Sequence, residues 1–154
     1  MDVSLSQDLW DDELALIVTA SADPVIVHET YLPRNMTTGQ AKRWFFGQKR
    51  AYFIVFGDKP VGMVVFHPKP AKFGVVEVET WVLQDYRGLG ISKRLHPIVV
   101  EEAKQYWDTM TAWVWATNSA SLGLLRYTGF EETGKEYEQG GIRCVELSLR
   151  LTSE

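Results

Sequence analysis

The segment Arg87-Gly88-Leu89-Gly90-Ile91-Ser92-Lys93-Arg94 constrains this chain more than any other. It follows a strand-like run from Gly74 to Leu83 and opens an amphipathic stretch from Leu89 to Asp108. That stretch sets Ile91, Leu95, Ile98, Val99, Ala103 and Tyr106 at helical spacing, with Glu101, Lys104, Gln105 and Asp108 turned outward. A strand, a glycine turn and a helix in this order leave amide N–H groups unpaired at the positive end of the helix dipole. Glycines let that backbone approach a phosphate closely. Arg87, Lys93 and Arg94 crowd the same point, where the dipole disfavours cations unless an anion compensates them. A pyrophosphate is such an anion. The bland alternative is a tight turn beside a solvated basic patch. A dinucleotide fold fits less well, because Gly88-x-Gly90-x-x-Lys93 lacks a third glycine and lies past mid-chain.

Any anion site here has to be local. Across 154 residues the formal net charge is −4, which gives no global attraction to nucleic acid or to anionic membranes and mildly favours cationic acceptors. Length and a 45% hydrophobic composition suit one domain over 1–154, with no linker or repeat to divide it. Cys144 is the single cysteine, so no internal disulfide can form and a thiolate metal cluster is excluded. His28, His67 and His96 lie far apart without ligand spacing, and no metal is expected. The N-terminus does not read as a signal peptide, and no apolar run nears the roughly 20 residues of a membrane span. These features predict a cytoplasmic protein.

The remaining pattern predicts an α+β fold. A helix is expected from Gln7 to Ala20, broken by Asp23-Pro24, followed by an irregular segment from Val25 to Met36 and a short helix from about Thr38. Tyr52–Phe56 and Val61–Phe66 flank the turn signal Gly57-Asp58-Lys59-Pro60 as a hairpin. Beyond the glycine turn, Met110 to Thr117 reads as a strand and Asn118 to Tyr127 as a helix stopped by Gly129. A last hairpin pairs Glu131–Glu138 with Ile142–Leu151 around Gln139-Gly140-Gly141.

Two motifs in this order resemble a known family. Arg87-x-x-Gly90-x-Ser92 is similar to the Arg/Gln-x-x-Gly-x-Gly/Ala cofactor signature of the GNAT (Gcn5-related) N-acetyltransferases, with Ser92 in place of the final Gly or Ala. Asn118-x-x-Ser121-x-x-Leu124-Leu125-x-x-x-Gly129-Phe130 resembles that family's second motif. The opening, Asp23-Pro24 through Tyr31-Leu32-Pro33 and on to Tyr52-Phe53-Ile54-Val55, looks like the RimJ/RimL branch. The resemblance covers nearly the whole chain. It implies a three-layer α/β/α arrangement around a mixed, mostly antiparallel sheet, splayed between its fourth and fifth strands.

The same resemblance implies acetyl-CoA as cosubstrate. The backbone of Val82 and Leu83 would pair with the pantetheine arm, and the amides of Gly88, Leu89, Gly90, Ile91 and Ser92 would hold the pyrophosphate, with Arg87 and Lys93 beside them. Asn118 and Ser121 would meet the arm, although an Asn before a helix is also a good N-cap. His28, Tyr31 and Arg34 occupy the segment that borders the acceptor cleft in relatives. The acceptor is a primary amine, on a small molecule or a protein N-terminus, and a homodimer is compatible with the pattern.

Acetylation of an amine needs a group that removes the ammonium proton, a carboxylate or a His, directly or through water. In Val75-Val76-Glu77-Val78-Glu79-Thr80-Trp81, alternation puts Glu77 and Glu79 on one face. Two acids on a central strand are costly to bury without a task or a partner, and neighbouring carboxylates raise one another's pKa. Either could be the base, and either could be a solvated or ion-paired glutamate. Many family members carry a Tyr where this chain has Leu125, and Tyr127 falls about 200° further round the helix. The general acid is therefore unassigned, with Ser121 or the helix amides left to stabilise the thiolate. Loss of that Tyr also permits a second reading, a module that binds acyl-CoA without turnover. Cys144 is read as a small core residue.

Overall fold

The computed structural model describes residues 1–151. Seven strands and five helices follow in the order β1 (Val3–Ser6), α1 (Asp11–Ser21), α2 (Pro24–Glu29), α3 (Thr38–Gly47), β2 (Arg50–Phe56), β3 (Lys59–Pro68), β4 (Val75–Val82), α4 (Ile91–Lys104), β5 (Thr109–Trp115), α5 (Ser119–Tyr127), β6 (Glu131–Gln139) and β7 (Ile142–Arg150). A single 3-10 turn, Gln84–Tyr86, links β4 to the glycine turn. The hydrogen-bonded strand order is β1-β2-β3-β4-β5-β7-β6. The β4–β5 ladder is parallel, whereas β1–β2, β2–β3, β5–β7 and β6–β7 are antiparallel. This is the mixed α+β sheet expected. Its parallel ladder has three partners, Val75–Thr109, Val76–Met110 and Glu77–Thr111, while β4 runs on to Val82 and β5 to Trp115.

The chain divides into two compact units that share β4 and α4: Met1–His67 with Glu79–Ile98, and Pro68–Val78 with Val99 onward. The first unit holds a core in which Leu16, Ile17 and Ala20 of α1, Ile26 of α2 and Ala41 of α3 meet Phe53, Met63, Val65 and Trp81 of the strands. Its β2–β3 ladder slips by one residue, Ile54 facing Gly62 and Val55 facing Pro60, so Val61 is the extra residue of a bulge. The Val61 carbonyl accepts the Leu83 N–H at 2.9 Å. Gly62 is required where it stands, because a Cβ there would lie 2.1 Å from the Trp81 carbonyl oxygen.

Two expectations fail in this unit. The first helix starts at Asp11 rather than Gln7, because Val3–Ser6 pairs as β1 with Phe53–Phe56. Asp11, Asp12 and Glu13 then crowd its first turn, where the dipole favours them, and the Glu13 carboxylate accepts the Trp10 N–H at 2.9 Å. The segment after Asp23 is not irregular throughout, since it opens with α2. Asp23 caps that helix through the Val25 and Ile26 N–H groups, and Pro24 sits at its first position, where a missing N–H costs nothing. One Asp-Pro pair thus ends one helix and starts the next.

In the second unit, β5 pairs with β7 from Thr109–Arg150 to Trp115–Cys144, and β6 closes on β7 through Gly140 and Gly141, both at positive φ. Asn118 caps α5 by accepting the Ser121 N–H at 3.1 Å. Gly129, at φ 102°, ends that helix, and the Phe130 N–H reaches back to the Leu125 carbonyl.

Candidate active site

In the first unit, β4 ends at Val82 and the chain turns through Arg87–Gly90 into α4. Gly88 and Gly90 have φ of 78° and 76°, the left-handed region that disfavours side chains. A Cβ built on either meets nothing within 4 Å, so the turn presents open backbone rather than a packed face. The amides of Ile91, Ser92 and Lys93 begin a helix of 14 residues, and the Arg94 N–H is already bonded to the Gly90 carbonyl. Ile91 is buried and anchors the helix, while Leu89 and Ser92 are exposed. This open, donor-rich cradle fits a pyrophosphate.

The basic residues around it are tethered. Arg87 Nε donates to the Val82 carbonyl at 3.2 Å, and an Arg94 guanidinium nitrogen donates to the Met1 carbonyl. Arg87 also lies near the Glu29 carboxyl, which desolvation holds above its ordinary value while Arg87 and His28 pull it back down. On β4 the two residues expected to meet a pantetheine arm differ. The Leu83 N–H is committed to Val61, so alternation turns the Val82 backbone toward the opposite strand edge.

Glu77 and Glu79 are both buried, and each has partners of its own. Glu79 uses both oxygens: Oε1 lies 3.1 Å from His67 Nε2, and Oε2 accepts the Tyr31 N–H. The Tyr31 and His67 rings meet edge to face, with centroids 5.1 Å apart. Sequence reasoning named Tyr31 and missed His67, a lone histidine at a strand end without a motif around it. His28 is exposed on α2 and Arg34 is exposed beyond it.

Glu77 belongs to the second unit. Lys69 Nζ stands 3.6 Å from Glu77 Oε1 and 3.7 Å from Glu146 Oε2, and Thr133 donates to Glu146 Oε1 at 2.9 Å. Glu146, buried on β7, was also missed: it alternates with Val145 and Leu147 as a solvent-facing residue does, so the strand pattern carries no signal of its burial. Burial, a hydrogen bond to the Cys144 thiol and the nearby Glu77 charge together push the Tyr137 phenol up to about 12. Cys144 is buried, as a core residue should be. In α5, Ser121 and Leu125 are half-buried and Tyr127 is 76% exposed, so Tyr127 does not share the Leu125 face.

The acetyltransferase (GNAT) family model matches residues 8–130, most of the chain. This protein belongs to the GNAT acetyltransferase family. A curated relative, the L-methionine sulfoximine/L-methionine sulfone acetyltransferase of Pseudomonas paraeruginosa, is 31% identical over 117 residues, covering 70% of this chain and 67% of that relative. Among solved structures, an N-acetyltransferase from Staphylococcus aureus Mu50 superposes with a TM-score of 0.79 at 21% identity, covering 99% of this chain and all of that one. A Salmonella typhimurium protein solved with acetyl-CoA as its cofactor superposes with a TM-score of 0.77 at 17% identity, covering 99% of this chain and 95% of that one. At such identities the two structures speak for the GNAT fold, and the family model carries the membership. Among the described residues no helix is long and apolar enough to cross a membrane, and no three His, Cys, Asp or Glu side chains gather as metal ligands.

Proposed function

We propose that this GNAT protein, read as one domain over 1–154, transfers the acetyl group of acetyl-CoA to the primary amine of a small amino acid by direct attack. The observation that carries the reading is the left-handed Gly88/Gly90 turn running directly into α4, a row of open amides in a protein whose family uses acetyl-CoA. Gly88, Leu89, Gly90, Ile91 and Ser92 hold the pyrophosphate through their backbone, with Arg87 and Lys93 adding charge. The Val82 backbone meets the pantetheine arm in preference to the Leu83 N–H. Asn118, through its side-chain amide, and Ser121, through its hydroxyl, are further contacts for the arm. Acetyl-CoA supplies the activated acyl group, and the chain supplies orientation and a route for proton removal at β4, through Glu77 or Glu79 acting directly or through a neighbouring side chain.

The amino-acid acceptor is inferred from the curated relative, whose name gives methionine sulfoximine and methionine sulfone as its substrates. The opening through Tyr31-Leu32-Pro33 supports the RimJ/RimL-like branch instead, for which a peptide N-terminus is the acceptor. His28, Tyr31 and Arg34 are the residues we assign to acceptor contact, with Tyr31 beside the Glu79 carboxylate.

Thermal unfolding with ligand tests the cofactor half. Acetyl-CoA at 100 times its dissociation constant adds about 2.7 kcal/mol to stability, and CoA competes for the same site. A response to NADH with none to CoA contradicts the assignment. Binding without turnover on any amine leaves the acyl-CoA-binding module, the reading that Leu125 in place of a tyrosine permits.

A further inference from the structure

We propose that His67, oriented by Glu79, is the group that takes the proton from the acceptor's ammonium; this rests on the acetyl-transfer reading above. The contacts of Glu79 carry the inference. Both of its oxygens are occupied, Oε1 by His67 Nε2 and Oε2 by the Tyr31 N–H, and its side chain is only 6% exposed. A carboxylate so engaged is a poor direct base for an incoming amine. It is well suited to hold an imidazole.

His67 has the complementary properties. Its side chain keeps 28% exposure, and the Tyr31 ring meets it edge to face at an interplanar angle of 88°, which fixes the ring plane. Nε2 donates its proton to Glu79 in the neutral tautomer, which leaves the lone pair on Nδ1. Among the described residues Nδ1 has no hydrogen-bond partner. A base, an orienting carboxylate and an aromatic wall thus come from β3, β4 and the segment after α2, all inside one compact unit. Tyr31, itself 58% exposed, is the surface against which the acceptor would approach.

The proton inventory closes. Nδ1 takes one proton from R–NH3⁺, giving R–NH2, whose lone pair attacks the thioester carbonyl carbon. The C–S bond breaks as the C–N bond forms, a second nitrogen proton ends on the departing thiolate, and the imidazolium returns its proton to solvent. Glu79 acts through His67 and is a positioning residue. The buried carboxylate keeps Nε2 protonated before transfer and steadies the imidazolium after it.

The test uses the full chain with acetyl-CoA and an amine that the wild-type protein acetylates. His67→Ala and His67→Gln should each lower kcat by about 10²- to 10⁴-fold, with the acetyl-CoA thermal shift unchanged. Added imidazole should restore part of the rate to His67→Ala and none to His67→Gln, whose side chain fills the gap. Glu79→Gln should lower kcat more than it raises KM. By ¹⁵N NMR the wild-type His67 ring should be a single tautomer with the proton on Nε2, and Glu79→Gln should mix the two. Near-wild-type turnover in both His67 variants overturns the proposal, as does a rate loss confined to Glu77→Gln. A mixed tautomer in the wild type overturns it without reference to activity. Should the wild type acetylate no amine, the acetyl-transfer reading fails and takes this proposal with it, an outcome distinct from active wild type with active His67 variants.

Discussion

Gly62→Ala is the sharpest single-methyl perturbation in this fold. The added Cβ stands 2.1 Å from the Trp81 carbonyl oxygen and 2.9 Å from Val82 Cα, both backbone atoms that no rotamer change can move. Ordinary contact begins near 3.4 Å, so β3 and β4 must part there by about 1.3 Å. That separation strains or breaks the Leu83 N–H to Val61 bond at 2.9 Å. Overpacking costs roughly 1–3 kcal/mol and a lost backbone hydrogen bond about 1 kcal/mol more, so we expect about 3 kcal/mol. For a chain of this length that lowers Tm by roughly 6–12 °C. Gly123→Ala is the control. Gly123 lies within α5, a Cβ there meets nothing within 4 Å, and the same chemical change should stabilise by about 0.5–1 kcal/mol. Thermal unfolding of the two variants beside wild type, followed by circular dichroism, reads both signs at once. Because Val82 is the strand edge assigned to the pantetheine arm, Gly62→Ala should also weaken the stabilisation by acetyl-CoA. A Gly62→Ala protein melting within about 2 °C of wild type would refute the close approach of β3 and β4.

Gly90→Asp should abolish the acetyl-CoA thermal shift while the apo protein stays folded, because the new carboxylate enters the open turn and packs against nothing; a retained shift counts against the pyrophosphate site. Leu125→Tyr should be tolerated or raise kcat, and Tyr127→Phe should leave it nearly unchanged, since Tyr127 is 76% exposed; a large loss in Tyr127→Phe makes that phenol the acid. The Tyr137 phenol, pushed up to about 12 from 10, keeps its proton in the folded chain after the unfolded chain has lost it. Its contribution to stability is therefore complete below about pH 10 and is lost as pH rises through about 12. Denaturant titrations across that window should show wild type losing more stability than Tyr137→Phe, and parallel declines contradict the assignment.

Most of the fold was legible because local signals agreed with the long-range pairing. The hairpin around Gly57-Asp58, the helix stop at Gly129 and the Gly140-Gly141 turn each rest on a few adjacent residues, and all three occur. β1 was not legible. Four residues, Val3–Ser6, alternate too briefly to read as a strand, and their partners lie some fifty positions away on β2. The glycine turn and the acids of β4 could be picked out from spacing alone. Their partners could not: His67, Lys69 and Glu146 approach the β4 acids only through strand neighbours and the loop after β3. Alternation reads Glu77 and Glu79 onto one strand face, but it says nothing of which partner each will meet.

The central claim, acetyl transfer to an amine, meets its most direct test in one measurement. Purified protein is given acetyl-CoA and a panel containing L-methionine sulfoximine, L-methionine sulfone, free amino acids, polyamines and peptides with free N-termini, and free CoA thiol and acetylated product are quantified together. The account predicts thiol release that requires an amine and equals the N-acetylated product mole for mole, strongest with a small amino acid. No amine-dependent thiol release across the panel, from protein that acetyl-CoA demonstrably stabilises, would contradict it.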